Sequence, residues 1–118
     1  MARRPTPMEF GSLPMDPMYA WGIKLEPVDK LIVELNDYIE QLAKETYDSG
    51  REFSDAELER LFLKWFDDRV ADGTFRRLPD EQGRAGRAVV GPAKWIKAQR
   101  TRINRLVAWW KEQGGTDI

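Results

Sequence analysis

The sequence predicts an all-α fold: a three-helix bundle with an extended Pro/Met-rich N-terminal arm and a long basic loop before the third helix. Three observations point there. Apolar residues recur about every 3.6 positions in three separate stretches. Prolines and glycines bound those stretches, and no period-2 alternation competes with them. With 118 residues, 42% hydrophobic and 33% charged, the chain suits one folded domain around a single core. The expected organisation is an arm over residues 1–22, one helical domain over 23–115 and a tail at 116–118.

The arm reads MARRPTPMEFGSLPMDPMYAWG. Pro5, Pro7, Pro14 and Pro17 each remove a helical hydrogen bond and bias the preceding residue toward extended backbone. Between them lie Met8, Phe10, Leu13, Met15, Met18, Tyr19 and Trp21, too much apolar surface for a solvated linker. Folding back on its own domain would cover these side chains, and so would docking on a neighbouring subunit of the same or another kind. Docking is the expectation, so a chain beginning at Ile23 should keep its helices.

The first long helix is expected over about residues 27–48, with Pro27 at its start, where a missing N–H costs nothing. Its apolar stripe is Val28, Leu31, Ile32, Leu35, Ile39, Leu42 and Ala43, and Gly50 stops it. The second, over about 55–72, opens with FSDAEL. Ser54 with Glu57 three residues later forms a capping-box signature, and Phe53 can pack on Leu58. Leu58, Leu61, Phe62, Trp65, Phe66 and Val70 make its stripe, before Gly73. A loop over 73–91 follows, long enough to be either functional or mobile. The third helix is expected over 92–113, from Pro92 to the Gly114–Gly115 stop. With Trp95 at 0° and 100° per residue, Leu106, Gln99, Trp110, Ile103, Ile96 and Val107 fall between about 20° and 120°. That arc is the expected buried face, with basic residues on both flanks.

Composition narrows the chemistry. There is no cysteine and no histidine, which excludes disulfides and thiol nucleophiles and removes the commonest general base and zinc ligand. GRAVVGPAK resembles a phosphate-binding loop only loosely: Pro92 stands where such a loop needs Lys, and no Ser or Thr follows Lys94. Asp67, Asp68 and Asp72 suggest a magnesium cluster at first sight, but Asp67 points about 100° away from the other two. No catalytic residue, metal or cofactor is expected. No apolar run approaches the roughly 20 residues of a membrane span, and the start lacks a secretory signal. A cytoplasmic protein is the expectation, in a host cell or a virion if the chain is viral.

Charge is the stronger signal. Between Glu26 and Asp72 there are 14 acidic and 6 basic residues, net −8; between Gln82 and Lys111 there are 8 basic and none acidic, in a chain of net −1. One consequence is internal neutralisation, the third helix pairing with its acidic neighbours at little gain per pair. The other is a surface for a polyanion, for which Arg84, Arg87, Lys94, Lys97, Arg100, Arg102 and Arg105 are the candidates. Trp109, between Arg102 and Arg105 on the helical wheel, is an aromatic able to stack or anchor, or one that covers the edge of the core.

The function expected is therefore that of a non-enzymatic helical binding or assembly protein. Its arm docks on another subunit and its residues 84–111 meet nucleic acid or an acidic protein surface. A short helical chain without Cys or His and with an apolar Pro/Met arm is compatible with small phage or mobile-element proteins, although no motif ties it to them. One alternative is a sequence-tolerant DNA-binding regulator using the third helix, against which stands a loop far longer than a helix-turn-helix allows. A second is an inhibitor presenting the acidic first two helices.

Overall fold

The computed structural model describes residues 5–10, 15–78 and 90–114. The chain is mostly helical, as expected: α2 is Val28–Ser49, α3 is Asp55–Ala71 and α4 is Pro92–Gln113. Shorter elements precede and separate them. A 3-10 turn spans Pro7–Phe10, α1 is the single turn Met18–Trp21, and β1 (Lys24–Glu26) pairs with β2 (Arg76–Leu78).

Local chemistry sets these boundaries. Pro27, joined to Glu26 by a cis peptide bond, is extended and caps α2 from outside rather than forming its first turn. Gly50 ends α2 with φ +72°, donating its N–H to the Thr46 carbonyl; this left-handed conformation suits glycine. The capping box of α3 is complete. The Ser54 hydroxyl accepts from the Glu57 N–H at 3.1 Å, and Glu57 Oε1 accepts from the Ser54 N–H at 3.3 Å, so two orphan donors of the first turn are satisfied. These bonds, chiefly the one from the Ser54 backbone, hold the Glu57 carboxyl below its ordinary range.

The sheet is a correction to the all-helical reading. Antiparallel pairing sets Lys24 against Leu78, Leu25 against Arg77 and Glu26 against Arg76, with Arg76 Nη2 at 3.1 Å from Glu26 Oε2. Three residues per strand are too few to show an alternating pattern, so the sequence gives no period to detect. The ladder brings buried Leu25 and Phe75 to the same end of the core.

Packing centres on α4. α2, α3, the 3-10 turn and α1 all lie against it. Leu31, Leu35, Ile39, Leu42, Leu58, Phe62, Trp65, Phe66, Ile96, Ile103, Leu106 and Trp110 are all buried, so the three helical registers read from the sequence hold. Trp95 joins them, wholly buried, with its ring centroid 5.1 Å from Trp21, 5.0 Å from Phe62 and 6.2 Å from Phe66. Tyr38 of α2 stacks on Trp65 of α3 at 5.4 Å.

The described part of the arm is neither extended nor apart from the domain. Met15 and Ala20 belong to the core, and Phe10 and Trp21 pack at its edge. The Met8 N–H donates to Asn36 Oδ1 of α2 at 3.0 Å. In α1 the Met18 N–H donates to Asp16 Oδ1 at 2.9 Å; burial pushes the Asp16 carboxyl up, with the Met18 bond opposing it. Met15 is thus covered by its own chain, and Phe10, Met18 and Trp21 in part.

Two predictions follow from this packing. Leu35→Ala and Ile103→Ala should each cost about 2–5 kcal/mol through lost burial and a residual cavity, measured by chemical denaturation; losses under about 1 kcal/mol at both sites would contradict the packing of α2 on α4. Trp21→Ala should lower stability by about 2 kcal/mol or more and shift the tryptophan emission to the red, as Trp95 loses its cover. Unchanged stability and emission would show that the arm is dispensable to the core.

Candidate polyanion-binding face

The outward side of α4 is basic because its two stripes are complementary. Trp95, Ile96, Gln99, Arg102, Ile103, Leu106, Val107 and Trp110 are buried, which turns Lys94, Lys97, Thr101, Arg105, Ala108 and Lys111 to solvent. Lys94, Lys97 and Lys111 have no carboxylate within ion-pair distance among the described residues. Arg105 is exposed and donates a long bond, 3.4 Å, from Nη1 to the Phe10 carbonyl. Thr101 spends its hydroxyl on the Lys97 carbonyl at 3.0 Å, leaving the face to the charged side chains.

The candidates read from the sequence separate into four groups. Lys94, Lys97 and Arg105 lie on this face. Arg100 sits at its border, half-exposed, and crosses to Asp55 of α3 with Nη1 at 2.8 Å from Oδ1; internal neutralisation therefore accounts for part of the basic charge. Arg84 and Arg87 lie outside the described residues. Arg102 and Trp109 are the corrections.

Arg102 is 2% exposed and is not available to a partner. Its Nη1 donates to Gln99 Oε1 at 2.7 Å, and Gln99 Nε2 donates to the Trp95 carbonyl at 3.1 Å. A guanidinium that leaves water needs such bonds, and burial pulls its pKa below the ordinary arginine value. Trp109 is half-buried against the core, covering an edge rather than standing among arginines. Both residues occupy the flank of α4 on which the N-terminal segment packs, as the Arg105–Phe10 and Trp21–Trp95 contacts show. The helical wheel alone leaves that flank open.

The proposed docking arm divides similarly. Met15 is buried, Met18 and Trp21 are half-buried and Met8 is 42% exposed. Leu13 and the side chain of Tyr19 lie outside the described residues.

The acidic helices carry a feature that sequence reading missed. Glu34, Asp37 and Gln41 of α2 line a shallow groove against α3, with Tyr38 and Trp65 as its aromatic wall and Arg69 at its rim. The Arg69 guanidinium lies 5.7 Å from the Trp65 ring centroid. Burial raises the Tyr38 hydroxyl pKa, and the charges of Glu45 and Asp68 raise it further. Its signal in the sequence is the stripe Glu34, Asp37, Gln41 and Glu45 at i, i+3, i+7 and i+11.

Two of the three clustered aspartates have other partners. Asp68 pairs with Lys64 at 2.7 Å. Asp72 takes the Thr74 hydroxyl and N–H and pairs with Arg69 at 3.0 Å; these bonds, the hydroxyl first, hold its carboxyl low. Among the described residues no group of three potential ligands is placed to hold a metal ion, and no helix is long and apolar enough to cross a membrane. Comparison with protein-family models, curated protein sequences and solved structures gives no match to the chain.

Proposed function

We propose that this chain is a small, non-enzymatic helical binding protein whose α4 presents a basic face to a polyanionic partner. One observation carries the reading: Lys94, Lys97 and Lys111 stand exposed on one side of a helix whose other side is core, and no described carboxylate pairs with them. Internal neutralisation alone would place acids beside these lysines, as it does beside Arg100. Of the described arm residues, Met15 and Ala20 belong to the core of their own chain and Phe10 and Trp21 pack at its edge. Charge on a rigid helix meets a polyanion at fixed spacing and accelerates encounter without needing large area.

The reading makes a specific prediction for duplex nucleic acid as probe. Affinity should fall with salt at a log–log slope of about 0.9 per phosphate neutralised. Lys94→Glu with Lys97→Glu should reduce that slope by about one per residue and weaken binding, with the melting temperature unchanged. Arg102→Glu should instead lower the melting temperature, because it places a carboxylate in the core. A gel-shift titration and a melting curve on each variant measure both effects. Absence of salt-sensitive binding to nucleic acid and to an acidic protein surface would overturn the reading.

A further inference from the structure

The acidic stripe on α2 and the basic stripe on α4 share one spacing. Glu34, Asp37, Gln41 and Glu45 fall at i, i+3, i+7 and i+11; Lys94, Lys97, Thr101 and Arg105 fall at the same intervals. Laid parallel, the two stripes set Glu34 against Lys94, Asp37 against Lys97, Gln41 against Thr101 and Glu45 against Arg105. Every acid meets a base, and the neutral position meets the neutral position. Intervals of three, four and four follow the helical period closely, so each set runs nearly straight along its helix. Six of the eight are fully charged, seven of the eight are exposed and Glu34 is half-exposed.

We infer that the basic face of α4 docks on the acidic α2 face of a second copy of this chain. The inference rests on the reading of α4 as a docking face and names its partner. Three further observations favour a second copy over nucleic acid. The chain is nearly neutral, net −1, so two copies approach without bulk repulsion, whereas a nucleic acid is repelled by the acidic helices as it reaches α4. Val33, 60% exposed and the most exposed large apolar side chain described, borders the acidic stripe, an apolar surface that a protein partner can cover and a phosphate backbone cannot. The groove beside the stripe has an aromatic wall on which Arg69 already rests, a surface suited to basic side chains.

Sedimentation velocity over a range of protein concentration, in low and high salt, tests the pairing. The wild-type chain should associate at 50 mM salt and shift at least about tenfold toward monomer at 500 mM, as screening shortens the reach of the charges. Lys94→Glu/Lys97→Glu alone and Glu34→Lys/Asp37→Lys alone should each be monomeric, since each then sets like charges together. An equimolar mixture of the two should associate again. Should either double variant melt early, the single pair Lys97→Glu and Asp37→Lys, both at exposed positions, serves the same purpose. Wild-type chain that stays monomeric in low salt, or a mixture that fails to associate, overturns the inference. If such a monomeric chain nonetheless binds duplex DNA through Lys94 and Lys97, only the self-docking falls; if it binds neither DNA nor an acidic protein surface, the reading of α4 falls with it.

Discussion

Everything in this molecule depends on burying the inner side of α4. The helix touches α1, α2, α3 and the 3-10 turn, and Trp95 is where two of these meet: Trp21 comes from α1, Phe62 and Phe66 from α3. Edge-to-face aromatic contacts at these separations add about 0.5–1.5 kcal/mol each beyond burial. With 118 residues and no disulfide or histidine site, the chain has only its hydrophobic core to hold it together. A central helix surrounded by others makes the most of that core, and it also leaves one narrow side of α4 in water. The basic face exists because that side is all that remains.

The N-terminal segment decides how narrow that side is. It lies over the flank carrying Arg102 and Trp109, so the buried arc of α4 widens beyond the 20° to 120° that apolar residues alone mark out. Arg102 lies in the interior, 2% exposed and bonded to Gln99. Replacing such a buried charge by an apolar residue of similar volume is often neutral or stabilising, so its hydrogen bonds hold a particular arrangement rather than supply stability. The same segment adds Met15 and Ala20 to the core.

This explains which parts were legible in sequence. Helical period, the Ser54–Glu57 box and the glycine stops are local properties, readable within about four residues, and they placed α2, α3 and α4 within a residue or two. What escaped depends on distant segments meeting. The β1–β2 ladder joins residues some fifty apart, and Trp95 is covered in part by Trp21 from far earlier in the chain. Charge was legible as a total per segment, yet not residue by residue: Arg100 is consumed by Asp55 while Lys97, three residues before it, is not. The α2–α3 groove needed two helices side by side before Tyr38 and Trp65 could form its wall.

The separation of charge costs the fold little and so is open to other uses. Exposed ion pairs contribute about 0–1 kcal/mol each, and most pairs here lie within one helix or between neighbouring elements, as Lys44–Asp48, Lys64–Asp68 and Arg69–Asp72 do. A protein stabilised by Trp95, Leu35 and Ile103 would fold much the same with its lysines and glutamates spread evenly. Segregation of −8 onto residues 26–72, which hold α2 and α3, and +8 onto residues 82–111, which hold α4, is therefore not a requirement of folding. Beyond the Arg100–Asp55 pair, its physical effect is a field outside the chain. A net charge of −1 conceals that field from any measure of the whole molecule. It becomes visible only when each helix is considered separately.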